Sequence, residues 1–111
     1  MKIIIPSSKR SNLLNTLSYL RGMDVSLLIY EDEVADYKRH PVDIVICPER
    51  GIAKKRQYVI ENYDRAIMLD DDLSFATRRE DDPTKFYPAQ ISEVCGAMED
   101  IWNHLGIFGH V

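Results

Sequence analysis

The sequence predicts one α/β domain of 111 residues, built on an open, mostly parallel sheet with flanking helices. Short apolar runs alternate along the chain with segments of helical periodicity. The apolar runs are continuous rather than alternating with polar residues, which is typical of strands covered on both faces, as in parallel sheets. Strand, helix and strand follow one another, which implies right-handed crossovers. Ligands bind at the carboxyl ends of strands in such sheets, so the residues that follow each strand are the candidate site.

Four strands and four helices are predicted in order. The strands cover residues 2–5, 25–30, 42–47 and 65–69. Leucines at helical spacing between residues 13 and 20 predict the first helix, which Gly22 ends. The other helices are predicted at residues 34–38, from Gly51 to about residue 63, and from near Pro88 to Leu105, the last with a one-sided apolar stripe. The polar residues 77–87, which include Pro83, predict a loop, and residues 107–111 read as the start of another strand.

Composition narrows the classes of function. The net charge is −4, which argues against broad non-specific binding to nucleic acid or to an anionic membrane. No apolar run approaches the roughly 20 residues that span a bilayer, so no membrane partner is expected. Cys47 and Cys95 lie in apolar stretches without metal-type spacing, which predicts free thiols in a reducing cytoplasm.

An acidic triplet, Asp70, Asp71 and Asp72, follows the fourth predicted strand. In an extended segment residues i and i+2 point the same way, so Asp70 and Asp72 are expected to converge on one cation. Mg²⁺ or Mn²⁺ is typically held by one or two carboxylates plus substrate phosphates. Asp71 then points elsewhere and can reach a ribose hydroxyl. The alternative is a solvated strand end that caps the next turn.

Basic residues are the expected complement of this triplet. The helix that begins at Gly51 carries Lys54, Lys55 and Arg56 in its first two turns, where a helix N-terminus favours an anion. Arg56 is in register with apolar residues of the same helix: Ile52, Val59, Ile60 and Tyr63. A cation on an inner face needs an acidic partner or a ligand, so Arg56 is predicted to clamp Asp70, Asp72 or a diphosphate, whereas the lysines have a solvated face as their alternative.

Two further strand ends carry candidate ligand-binding groups. Glu31 and Asp32 follow the second strand, where an acidic residue can accept hydrogen bonds from a base or a ribose. Their alternative role is to cap the following helix. Arg10 can stack on a base or bind phosphate, or it can be a surface arginine. The three histidines form no Ser-His-Asp or Cys-His pattern, so no catalytic residue is assigned.

These strand ends together resemble those of GT-A glycosyltransferases. The resemblance rests on Ile4-Ile5-Pro6-Ser7-Ser8-Lys9-Arg10, on Gly51-Ile52-Ala53-Lys54-Lys55-Arg56 and on Ala66-Ile67-Met68-Leu69-Asp70-Asp71-Asp72-Leu73, which is similar to the DxD motif of that family. It covers roughly residues 2–75. Among such enzymes, the pattern looks most like the small phage-type, hence viral, glycosyltransferases proposed to add sugars to hydroxymethylated DNA bases.

The resemblance implies a Rossmann-like, nucleotide-sugar-binding half of a GT-A fold with Mn²⁺ or Mg²⁺ as cofactor. Donor-binding residues would be Pro6, Ser7, Ser8, Arg10, Glu31, Asp32, Arg56, Asp70 and Asp71. Asp70 and Asp72 would hold the metal, with Asp72 as the more direct ligand. The family normally has a second half for the acceptor, so residues 1–111 are expected to be one domain truncated at its C-terminus and inactive alone. The apolar segment after Gly106 is an expected homo-oligomer contact.

Other classes of function also fit parts of the pattern. A nucleotidyltransferase uses the same metal and diphosphate chemistry, but it usually has a glycine-rich loop after the first strand, and residues 6–9 contain no glycine. Residues 70–74 also fit a haloacid-dehalogenase-type phosphatase string, which needs a later lysine and a second acidic pair. A non-catalytic nucleotide-binding or interaction module derived from a transferase is the third alternative.

Overall fold

The computed structural model describes residues 1–9, 14–20, 22–78, 86–105 and 109–110. Within these residues there are seven strands: β1 (Ile3–Pro6), β2 (Val25–Tyr30), β3 (Asp43–Cys47), β4 (Arg65–Met68), β5 (Ala76–Arg78), β6 (Phe86–Pro88) and β7 (Gly109–His110). The described helices are α1 (Val34–Tyr37), α2 (Ile52–Asn62) and α3 (Ile91–His104), with one-turn 3-10 helices at Thr16–Tyr19 and Glu31–Glu33.

The main sheet is open and parallel throughout. Its strand order is β3-β2-β1-β4-β7, and each neighbouring pair runs parallel. The two-residue β7 pairs with the start of β4, in agreement with the strand predicted near the C-terminus. The predicted α/β class with an open, Rossmann-like parallel sheet is therefore confirmed.

Each face of the sheet has its own apolar core, because successive side chains of a strand point to opposite faces. Ile3 and Ile5 lie on the face that packs against Tyr37 of α1 and against Val94 and Met98 of α3. The opposite face presents Ile4 with other buried residues: Leu28, Cys47, Ala66 and, from α2, Val59. The runs that form β1, β2 and β4 are thus largely buried on both sides, as predicted, whereas the edge strand β3 leaves Ile46 42% exposed.

The first predicted helix is wrong as a full helix. Within residues 14–20 the chain forms a single 3-10 turn, Thr16–Tyr19. The hydroxyl and backbone N–H of Thr16 bond to the loop that follows β4 rather than to a helical ladder. Threonine side chains that bond backbone groups in this way compete with helix formation, which explains the difference from a leucine pattern that suits a helix.

The prediction of an unstructured loop over residues 77–87 is also wrong in part. β5 and β6 pair in an antiparallel hairpin, with Thr77 opposite Tyr87. Threonine and aromatic residues favour strands, but the polar stretch between them hides this pairing in the sequence. Residues 79–85 lie outside the described residues.

Two smaller findings concern the cysteines and the helices of the described residues. Cys47, which is buried, and Cys95, which is half-buried, are both free thiols. Across the part of the chain that the structure describes, no helix combines the length and apolar character needed to cross a membrane. The homo-oligomer contact after Gly106 stays a prediction.

Candidate functional site

A cleft of about 330 Å³ lies where the strand order of the sheet reverses. The chain proceeds from β1 through β2 to β3 on one side of β1 and places β4 on the other side, so the strand order reverses between β1 and β4. Open α/β sheets bind ligands at such a switch point. The residues that line this switch-point cleft are Pro6, Ser7, Ser8, Tyr30, Ile52, Lys55, Asp70, Asp71 and Asp72.

The floor of the cleft is a buried chain of hydrogen bonds. Ser7 Oγ donates to Asp71 Oδ2 at 2.6 Å and lies 2.7 Å from the hydroxyl of Tyr37. A serine hydroxyl has one proton to donate, so with that proton on Asp71, Tyr37 is the donor to Ser7. Tyr37 is fully buried, and Asp71 is 6% exposed. The chain therefore ties the carboxylate after β4 to the end of β1 and to α1.

Lys55 supplies the positive charge of the cleft. Its side chain is 3% exposed, and its Nζ donates a hydrogen bond to the carbonyl oxygen of Ser7. The ammonium also lies 4.2 Å from the ring centroid of Tyr30, a cation–π contact. Burial lowers the pKa of Lys55, and the nearby carboxylates of Glu33 and Asp71 partly oppose that shift. The cleft thus holds a desolvated cation beside acidic groups.

The predicted inward orientation of Arg56 is wrong. Arg56 is exposed, and Lys55 occupies the inner face of α2 together with Val59, one turn later. Ile52 and Ile60, which suggested a wider apolar stripe, are 64% and 52% exposed. Arg56 consequently does not line the cleft. The sequence interpretation missed Lys55, although its spacing of four residues from Val59 was the available signal.

The acidic triplet lies in a turn rather than in an extended segment. β4 ends at Met68, and Asp71 and Asp72 form the turn that follows. Asp70 and Asp72 are exposed at the rim of the cleft, whereas Asp71 points into its floor. Asp71 does differ in orientation from Asp70 and Asp72, as expected. The cause is the turn and the hydrogen bond from Ser7 rather than the alternation of side chains along a strand.

Glu33 organises the loop that follows β1, a role that the sequence interpretation did not assign. Its Oε2 accepts hydrogen bonds from the backbone N–H of Lys9 at 2.7 Å and from the hydroxyl of Ser8 at 3.2 Å. Lys9 has a φ of 56°, a left-handed conformation that is uncommon outside glycine. The bond from Glu33 helps to hold this conformation, and so shapes the wall formed by Pro6, Ser7 and Ser8.

Glu31 and Asp32, both exposed, lie outside the switch-point cleft. They line a neighbouring depression that shares only Tyr30 with the cleft. Asp32 forms an ion pair with Arg50, whose guanidinium lies 4.6 Å from the ring centroid of Tyr30. Arg10, the remaining predicted donor-binding residue, lies outside the described residues.

α2 begins beside the cleft, directly after a glycine with an unusual backbone conformation. Gly51 has a φ of 111°, which side chains rarely adopt. Its backbone N–H donates to the Tyr30 hydroxyl at 2.8 Å. This contact ties the start of α2 to the end of β2 and keeps Lys55, one turn later, over the cleft floor.

Asp70 and Asp72 place two exposed carboxylates at the rim of the cleft. Among the described residues, no group of three or more histidine, cysteine, aspartate or glutamate side chains is arranged to hold a metal ion. Two carboxylates with substrate phosphates and water are a usual donor set for Mg²⁺. The chemistry of this pair therefore fits a cation that is completed by a phosphorylated ligand.

Comparison of the chain with protein-family models, with characterised proteins and with solved structures gives no match.

Proposed function

We propose that the switch-point cleft binds the diphosphate of a nucleotide sugar together with Mn²⁺ or Mg²⁺, and that the chain acts as the donor-binding part of a glycosyltransferase. The observation that carries this proposal is that one cleft is lined by the buried ammonium of Lys55 and by the exposed carboxylates of Asp70 and Asp72. The cleft also lies at the position where open parallel sheets bind nucleotides.

The charges of the cleft support a ligand that arrives with a metal. Three carboxylates, Asp70, Asp71 and Asp72, stand against one ammonium, Lys55. A diphosphate alone would be repelled by this balance, whereas a bound divalent cation offsets the excess of two negative charges. Lys55 and the cation then both attract the phosphate oxygens, and such attraction is strong where water is excluded.

The residues of the cleft have separate roles in this proposal. When bound, the metal acts as a Lewis acid that stabilises the charge of the departing diphosphate. Asp70 and Asp72 hold that metal, and Lys55 adds a fixed positive charge to the same leaving group, which is electrostatic stabilisation. Ser7 and Asp71 fix the floor. Transfer would join the sugar carbon to an acceptor oxygen, release the nucleoside diphosphate and free the acceptor proton.

The acceptor and the cellular setting are also proposals. The resemblance to phage-type enzymes implies hydroxymethylated DNA bases as the acceptor. The two free thiols, Cys47 and Cys95, fit a reducing compartment such as the cytoplasm. Without an acceptor, water takes its place, and the expected reaction is slow hydrolysis of the donor.

Product analysis tests this function against its alternatives. Purified chain is incubated with Mn²⁺, a panel of nucleotide sugars and acceptors that include hydroxymethylated DNA. Release of a nucleoside diphosphate from a nucleotide sugar, however slow, supports the proposed glycosyltransferase function. Release of pyrophosphate from a nucleoside triphosphate and sugar phosphate would instead indicate a nucleotidyltransferase. Metal-dependent binding without any product would indicate a non-catalytic nucleotide-binding module.

A further inference from the structure

The loop after β4, residues 70–74, is held by one residue that is distant in the sequence. We call this segment the acidic loop. Thr16, which is fully buried, donates from Oγ1 to the carbonyl oxygen of Asp70 and accepts from the backbone N–H of Leu73 at 2.8 Å. Its own backbone N–H donates to the carbonyl oxygen of Asp71 at 3.2 Å. The side chain and the backbone N–H of Thr16 thus bond to three residues of the loop: Asp70, Asp71 and Leu73.

Asn15 extends the same contact. Its Nδ2 donates to the carbonyl oxygen of Leu73 at 2.8 Å and to Ser74 Oγ at 2.7 Å. The bonds from Asn15 and Thr16 fall on residues 70, 71, 73 and 74, and so bracket Asp72 from both sides. Asn15 is exposed, so water competes for its bonds, and the buried Thr16 is the stronger constraint.

The acidic loop needs such a partner because the sheet no longer supplies one. Among the described residues, the last backbone hydrogen bond from this segment to β1 is the one from Leu69 N to the carbonyl oxygen of Ile4, at 3.0 Å. Beyond it, buried backbone groups must find other partners. Thr16 supplies hydrogen-bond partners that a neighbouring strand would otherwise supply. This role accounts for a threonine among the leucines of residues 13–20.

We infer that Thr16 is a positioning residue that holds the Asp70 and Asp72 carboxylates in place for the cation. This inference rests on the proposed function. Thr16 does not line the cleft and acts through the loop backbone. Removing its hydroxyl should therefore weaken Mn²⁺ binding as well as speed the exchange of the loop amides. A residue that served stability alone would lower the free energy of unfolding and leave the Mn²⁺ affinity of the folded protein unchanged.

The test compares Thr16→Val, which keeps the shape and removes the hydroxyl, with Thr16→Ser, which keeps the hydroxyl. Thr16→Ala is carried alongside in case valine is not tolerated. Ser18→Ala is the control, because Ser18 lies in the same 3-10 turn but bonds to the carbonyl oxygen of Asn15. The first readout is the hydrogen-exchange rate of the Leu73 amide in the metal-free protein. The second is the Mn²⁺ affinity in the presence of a nucleoside diphosphate.

The expected result is at least tenfold faster Leu73 exchange and at least tenfold weaker Mn²⁺ affinity in Thr16→Val or Thr16→Ala. Thr16→Ser and Ser18→Ala should stay within about twofold of the wild type. Unchanged exchange in the variants that lack the hydroxyl would overturn the inference, as would an unchanged Mn²⁺ affinity in those variants. If the wild type binds no metal with any nucleotide, the proposed function fails, and the exchange rate alone still decides whether Thr16 holds the loop.

Discussion

Ser7, at the end of β1, donates a 2.6 Å hydrogen bond to the carboxylate of Asp71, which follows β4. The two strands are neighbours in the sheet, but Ser7 and Asp71 are 64 positions apart in the chain. The bond closes the floor of the switch-point cleft and turns the middle aspartate away from the exposed Asp70 and Asp72. The triplet is thereby divided into one buried carboxylate, Asp71, and two exposed carboxylates, Asp70 and Asp72.

Removing the Ser7 hydroxyl should destabilise the protein more than removing that of Tyr37. Ser7→Ala takes a donor from the buried Asp71 carboxylate and an acceptor from Tyr37, and bonds to charged groups contribute about 1.5–3 kcal/mol. Tyr37→Phe removes the neutral bond to Ser7 and leaves the Ser7–Asp71 bond in place, and the expected cost of that bond is about 0.5–1.5 kcal/mol. Urea denaturation measures both, with the exposed Ser92→Ala as control. A larger loss for Tyr37→Phe would show that the Ser7–Asp71 bond is not the main constraint.

Lys55 and Arg56 are adjacent cations with opposite environments, and this gives a matched pair of variants. Lys55→Met removes the buried charge of the cleft and should weaken nucleoside diphosphate binding at least tenfold, which is about 1.4 kcal/mol. Arg56→Met removes an exposed charge and should change affinity less than about twofold. Titration calorimetry measures both. Equal losses, or a greater loss in Arg56→Met, would restore Arg56 as the binding cation.

The lowered pKa of Lys55 predicts how stability depends on pH. Between that lowered pKa and the ordinary value of 10.5, the unfolded chain holds the Lys55 proton and the folded protein releases it. The unfolded state then binds more protons, so the contribution of Lys55 to the free energy of unfolding rises with pH. The slope is at most about 1.4 kcal/mol per pH unit for one proton. Below the lowered pKa this contribution is constant.

Lys55→Arg is the comparison for this effect, because arginine stays protonated throughout that range. Urea denaturation of both proteins from pH 7 to 10.5 gives their difference in unfolding free energy. That difference, wild type minus variant, should grow as the pH rises. A flat or falling difference would mean that the pKa of Lys55 is not lowered by burial.

The sheet could be predicted from the sequence because parallel strands leave a direct pattern. Runs such as Ile3–Pro6 and Val25–Tyr30 are apolar on both faces, and polar residues begin where they end. The grouping of Ser7 and Ser8 with the acidic triplet followed from the rule that strand ends share one edge. These parts of the site needed no knowledge of side-chain contacts.

The inner face of α2 could not be predicted in the same way. Ile52 and Ile60 suggested a stripe that would include Arg56, yet both are mainly exposed and only Lys55 and Val59 are buried. α2 buries only a narrow stripe of side chains against the sheet. The rotation of α2 about its own axis is set by contacts such as that of Lys55 with Ser7. The Thr16 contacts are likewise non-local, so local sequence patterns do not record them, and the polar stretch between β5 and β6 hides the pairing of those two strands.

Titration calorimetry with Mn²⁺ and a panel of nucleoside diphosphates tests the central claim most directly. The wild type should bind a nucleoside diphosphate in the presence of the metal and lose that binding with chelator. Asp72→Asn should bind at least tenfold more weakly. Asp64→Asn, an exposed aspartate just before β4, should match the wild type. Binding that chelator and Asp72→Asn both leave unchanged, or no binding across the panel, would contradict the proposed metal-dependent donor site.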